Sequence, residues 1–215
     1  MQKAFYLIAN LMAGFMDMGV GALVAVLLAL YLGQPVAGLS GIAAVLLWGM
    51  FWQVSPDMDI VPSILRRGFT GKPFNFDHHQ TWLHWPLAMI PPVALVTWFF
   101  LGEYWCAVAC VCMFFHYIHD AVFMKNGLAW IFRLRRKFVS YPIQESGTKT
   151  PDEWIERNWM QQSRLSIYEM LIGMTALSVA IFFGTHSAFF AALAFNIVWA
   201  CTSVFWIATK KLKYA

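Results

Sequence analysis

Apolar runs of about twenty residues, each long enough to cross a bilayer, recur six times along this 215-residue chain. They cover residues 4–33, 36–54, 82–101, 103–123, 167–184 and 188–208. The first is too long for one untilted span and holds Asp17, Gly19 and Gly21. The second ends at Pro56, which cannot continue a helix, and Pro91-Pro92 inside the third predict a kink. The basic residues sort strictly between the connections. Residues 33–35, 101–103 and 184–187 contain no Lys or Arg. All fifteen fall on the other set: Lys3; Arg66, Arg67 and Lys72; Lys125, Arg133, Arg135, Arg136, Lys137, Lys149, Arg157 and Arg164; Lys210, Lys211 and Lys213. Cytoplasmic loops collect Lys and Arg, so six spans with both termini in the cytoplasm account for every one of them.

The expectation is therefore an all-α polytopic membrane helix bundle of about six transmembrane helices, one integral membrane domain over residues 1–215. A hydrophobic fraction of 60% with only 12% charged residues supports it. The net charge of +4 is then explained by topology and needs no nucleic-acid partner. The N-terminal apolar run exceeds the core of a cleaved signal and reads as a retained first span. Cys106, Cys110, Cys112 and Cys201 all lie in apolar segments, as small buried residues do, and imply neither a disulfide framework nor a thiolate metal site.

Residues 125–166 form the long cytoplasmic connection. Leu128–Val139 alternates Trp130, Phe132 and Phe138 with Arg133, Arg135, Arg136 and Lys137. Two readings stay open there: a helix lying in an anionic leaflet, or a loop helix whose charges only fix topology. Thr150-Pro151-Asp152-Glu153 has the residue types of a helix start.

Within so apolar a chain, three polar knots stand out, all at cytoplasmic ends of spans. Asp57 and Asp59 follow Pro56; His78, His79 and His84 lead into the third span; His116, His119 and Asp120 lie near the exit of the fourth. Ionisable groups inside a span are costly and mark function by default. The i, i+3, i+4 spacing of His116, His119 and Asp120 puts them on one helical stripe, where they can serve one ion. His79 and His84 diverge on a regular helix, but with Pro86 in a first turn His84 sits at the helix mouth and His79 in the lead-in. The expected ligands are Asp57, Asp59, His79, His84, His116 and Asp120, with Asp57 or Asp59 also placed to take a proton from water. His78, His119 and Asp17 would stand behind them, and Arg66, Arg67 and Lys72 could hold an anionic head group. Mixed imidazole and carboxylate ligands suit zinc, with manganese or iron as alternatives. His186 and Glu103 read as boundary residues, and Glu169 and Asn196 as helix–helix hydrogen-bonding groups.

These motifs resemble those of the LexA-regulated, inner-membrane metal-dependent hydrolases (the YdjM-like family). Pro56-Asp57-Met58-Asp59 is similar to that family's Pro-Asp-x-Asp turn, and His79-Gln80-Thr81-Trp82-Leu83-His84-Trp85 keeps the spacing of its His-Arg-Gly-x-Thr-His-Ser motif. His116-Tyr117-Ile118-His119-Asp120, with Gly127 and the aromatic stretch after it, resembles its His-x-x-x-Asp pair. The resemblance covers roughly residues 45–132. Gln80, Thr81, Leu83 and Trp85 replace the family's Arg, Gly, Thr and Ser, so the ligands carry over and the substrate contacts do not. The family looks related to zinc-dependent phospholipase C-type enzymes. The resemblance thus implies a bacterial inner-membrane enzyme that hydrolyses a phosphoester of a membrane lipid or lipid-linked substrate, with self-association left open. Two rivals use the same residues. A histidine-cluster di-iron oxidase would need about eight histidines. A non-enzymatic subunit of a channel, transporter or regulatory assembly would keep a structural metal or none.

Overall fold

A computed structural model describes residues 2–34, 38–59, 61, 81–123 and 164–213, with side chains described over 14–34, 40–59, 61, 81–121 and 169–204. Six α-helices form among them, with no strand: α1 (Gln2–Tyr31), α2 (Gly38–Val54), α3 (Pro86–Leu101), α4 (Glu103–Phe123), α5 (Arg164–Thr185) and α6 (Ala188–Lys213). The chain is all-α. Two short 3-10 turns complete the described structure, Ser55–Asp59 at the end of α2 and Trp82–His84 just before α3. Pro86 occupies the first position of α3, where its missing N–H is no loss, and the helix continues through Pro91 and Pro92. The expected connection at 125–166 and its Thr150 cap lie outside the described residues, apart from the first residues of α5.

Helix α1 is the hub: it packs against α5, α2 and α4, while α3 lies on α4 and α6 on α5. Glycines set how closely it can approach its neighbours. A Cβ on Gly21 would run into the Gly49 backbone, and one on Gly49 into the Gly21 backbone, so α1 and α2 cross with their main chains in contact. Gly19 meets Gly173 of α5 in the same way. Such small-residue contacts are how helices pack when van der Waals fit is the main attraction available.

Hydrogen bonds fix the register. Trp48 Nε1 donates to the Trp105 carbonyl at 3.0 Å, tying α2 to α4. Tyr104 Oη donates to the Ala25 carbonyl at 3.0 Å, tying α4 to α1. Around them Ala22, Ala25, Val26, Ala29, Val45, Val108, Cys112 and Ala180 make the main core. The contacts of Gly19 with Gly173, and of Gly184 with Val26, show α1 and α5 parallel. The turn at Gly102, with φ of 90°, reverses the chain between α3 and α4. Consecutive helices therefore alternate in direction.

One segment among the described residues, Gly14–Tyr31, is long and apolar enough to cross a membrane by length and composition. The apolar helices Pro86–Leu101, Glu169–Thr185 and Ala188–Val204 are shorter than that measure. Helix α4 carries Glu103, His116, His119 and Asp120, which lower its hydropathy. Asp17 lies in the first turn of the Gly14–Tyr31 segment.

The glycine contacts give a direct test. Gly49→Ala forces backbone against Cβ and should destabilise the purified protein by about 1–3 kcal/mol. Gly14→Ala, whose new Cβ meets only the flexible end of Met18 at 3.6 Å, should be neutral or stabilising by up to about 1 kcal/mol. Thermal unfolding of the two variants beside wild type checks both.

Candidate metal centre

Four elements deliver the site. The turn Ser55–Asp59 brings Asp57 and Asp59, the turn Trp82–His84 brings His84, α4 brings His116, His119 and Asp120, and α1 brings Asp17. Tyr117 Oη donates to the Leu83 carbonyl at 2.7 Å, which pins the His84 turn to α4. Asp57, His84 and His116 each offer one donor atom, and the three atoms lie within 4.8 Å of one another.

His84 Nε2 lies 3.2 Å from Asp57 Oδ1 and 3.6 Å from Asp120 Oδ2. His116 Nε2 lies 3.6 Å from Asp57 Oδ1 and 3.1 Å from Asp120 Oδ2. Each Nε2 thus faces the same two carboxylates. A tetrahedral ion with bonds of about 2.0–2.1 Å holds its donors about 3.3 Å apart. These four separations lie near that value, and Asp57, His84 and His116 are the three residues whose donor atoms all lie within 4.8 Å of one another, with Asp120 beside both imidazoles.

His116 supplies the sharper test. Its side chain is 1% exposed, and neither ring nitrogen makes a hydrogen bond among the described residues, despite the carboxylate at 3.1 Å. A hydrogen bond needs the oxygen in line with N–H, and a short N···O separation alone does not provide this. Two orphaned nitrogens on a buried imidazole are costly. Donors that converge on a common point, instead of aiming at one another, have this geometry. The residues fit a divalent cation: Asp57, His84 and His116 offer one carboxylate and two imidazoles, with the Asp120 carboxylate beside both rings.

Each imidazole also has a carboxylate behind it. On the Nδ1 side of His84, Thr81 Oγ1 lies within hydrogen-bond distance at 3.4 Å and donates at 2.6 Å to Asp59 Oδ2, which is 3.7 Å from Nδ1. On the Nδ1 side of His116, Asp17 Oδ2 lies 3.8 Å away. At these distances, longer than a hydrogen bond, each carboxylate places negative charge behind its ring on the side away from Nε2.

Of the residues singled out from sequence, Asp57, His84, His116 and Asp120 come together at the centre. Asp59, expected among the ligands, lies on the outer side of His84. His119 is turned away from the centre: its Nδ1 is 3.5 Å from Asp17 Oδ1 and its Nε2 3.9 Å from Glu169 Oε1. His119, expected to stand behind the ligands, neighbours Asp120 in the helix and so points about 100° away from it. Glu169 was read only as a helix–helix group, and Gln53, which donates to Asp17 Oδ1 at 3.3 Å, was not singled out. Its signal was a lone amide one turn before Asp57 in an apolar helix. His78, His79, Arg66, Arg67 and Lys72 lie outside the described residues. Comparison with family models, curated proteins and solved structures finds no match.

The arrangement separates ligands from supports by magnitude. His84→Ala and His116→Ala should each reduce bound metal to background in elemental analysis of the purified protein. Asp17→Asn and Asp59→Asn should retain metal but weaken its affinity about 10–100-fold, read by chelator competition.

Proposed function

We propose that this chain is a membrane-embedded, metal-dependent hydrolase acting on a phosphoester or ester of a lipid or lipid-linked substrate at the cytoplasmic leaflet. The observation that carries the reading is the convergence of the His84 and His116 Nε2 atoms with Asp57, beside Asp120, where the turns after α2 and before α3 meet α4. Zinc suits the mixed donors best, with manganese and iron as alternatives. A divalent ion there supplies Lewis acidity and activates water at neutral pH.

The protein's own groups divide the remaining work. His84 and His116, held from behind by Asp59 and Asp17, give the centre fixed donors that need no rearrangement when substrate arrives. Asp57 is the exposed member, 31% accessible against 10% for Asp120. Substrate and water therefore approach over Asp57, which is placed to take a proton from the attacking water. That water bonds to phosphorus or to an acyl carbon while the bond to the leaving oxygen breaks. Arg66, Arg67 and Lys72 follow Asp59 closely in sequence and would supply the cations for a phosphate.

Three observations support six spans in the bacterial inner membrane. The basic residues sort to one side of the apolar runs, and the helices alternate in direction. Large apolar side chains stay exposed on α2, α3 and α6, with Leu47 at 64%, Phe99 at 76%, Phe189 at 69% and Val204 at 66%. Contiguous surface of this kind is what a lipid or protein contact covers. The phosphoester preference draws its support from the resemblance to the YdjM-like hydrolases.

One observation favours a second reading, a non-enzymatic membrane subunit with a structural ion. His84, His116 and Asp120 are nearly closed to solvent, as ligands of structural zinc are. Turnover decides between the two readings. On a panel of phosphoester and acyl-ester lipids, chelator-stripped protein should be inactive and recover with Zn²⁺. Asp57→Asn should lose about 10²-fold or more in rate, and His186→Ala on the α5–α6 turn should match wild type. Metal retained without turnover on any lipid would favour the structural role.

Topology gives an independent check. Single cysteines placed at 102 and 186 should label from outside intact cells and those at 3 and 213 only after lysis, and the reverse pattern would overturn the six-span reading.

A further inference from the structure

Asp17 is held from more than one direction. Its Oδ2 faces His116 Nδ1 at 3.8 Å, while its Oδ1 accepts from Gln53 Nε2 at 3.3 Å. Gln53 is 1% exposed and lies in the last turn of α2, one turn past Gly49. A carboxylate only accepts, so the amide must turn its NH₂ group toward Asp17. Space for it comes from α1, because a Cβ on Gly21 would lie 2.7 Å from Gln53 Cβ. Gly21 is one turn from Asp17, so the bare backbone that lets α2 approach also seats the Gln53 stem beside this carboxylate. The series runs from α2 through α1 to α4: Gln53 to Asp17, Asp17 to His116, and His116 Nε2 to the centre.

We propose that Gln53 is a positioning residue for the metal centre. By fixing which way the Asp17 carboxylate faces, it sets the ring orientation of His116 and thereby the affinity and geometry of the bound ion. The inference rests on the metal-centre reading above. It assigns Gln53 more than a link between α1 and α2, since such a link would act on folding alone.

The test uses full-length purified protein with Co²⁺ as probe, in wild type, Gln53→Met, Asp17→Asn and the double variant. Dissociation constants come from chelator competition, ligand geometry from the visible d–d spectrum, and folding from thermal unfolding without metal. Gln53→Met should bind Co²⁺ about 10–100-fold more weakly with an altered spectrum. In the Asp17→Asn background the same change should cost nothing further, because its route to the ion is already cut. Should Gln53→Met fail to fold, Gln53→Asn, which keeps the amide but withdraws it by one methylene, is read in the same way. An unaltered spectrum with wild-type affinity overturns the proposal, as does an equal loss in both backgrounds. If wild type itself binds no Co²⁺, the metal-centre reading falls and this proposal with it. Wild type that binds beside an indifferent Gln53 variant removes only the role of Gln53.

Discussion

The structure depends on burying imidazoles against carboxylates in a bundle that offers them little water. His84 and His116 are essentially inaccessible, and each faces carboxylates on both of its ring nitrogens. Charged groups leave water at a cost of several kcal/mol each unless a counter-charge and hydrogen bonds replace it. His84, His116 and His119 are the partners that this geometry presents to Asp17, Asp57, Asp59 and Asp120. The arrangement is tolerable only if every donor is held at the right depth. Helix packing meets that condition.

Depth is set far from the site. A helix turns about 100° per residue, so a slip of one residue in α4 would swing His116 out of the centre and Asp120 with it. The Trp48 bond to the Trp105 carbonyl and the Tyr104 bond to the Ala25 carbonyl oppose such a slip, about three turns from the histidines. The contacts between Gly21 and Gly49, and between Gly19 and Gly173, oppose it on α1, because main chains touch there with no room for a Cβ. Asp17 stands two residues before Gly19. The same close approach that packs α1 against α5 and α2 therefore carries its carboxylate to His116.

Much of this was legible in the residues. Helices α1 to α6 fall on the apolar runs because Pro and Gly interrupt them at Gly33, Pro56 and Gly102, and the placement of His84 before Pro86 followed from the first-turn preference of proline. The pairing of remote segments was also readable, since each polar knot lies at the same end of its run. The allocation of roles was not. Asp57 and Asp59 were interchangeable in sequence, yet in a 3-10 turn residues two apart point about 120° apart, so one reaches the Nε2 side of His84 and the other its Nδ1 side. His119 shares a stripe with His116 on paper, but a polar partner on α5, Glu169, draws it the other way. Gln53 was illegible for a related reason: one amide in an apolar helix has many uses, and only the contact with Asp17 selects among them.

Whether such a centre does chemistry turns on the asymmetry of its four donors. A structural ion is best served by ligands that are all equally shielded, since exposure of any one invites exchange with water. Here three donors are shielded and the fourth, Asp57, is 31% accessible. Asp57 and His84 are carried on short 3-10 turns, whereas α4 holds His116 and Asp120 within a regular helix. A shielded triad with one accessible carboxylate at its edge leaves a direction from which solvent can enter without dismantling the site. On the hydrolase reading proposed above, the placing of Asp17 and Asp59 behind the two histidines serves the same end, because donors already fixed in place need not reorganise as charge develops on a substrate.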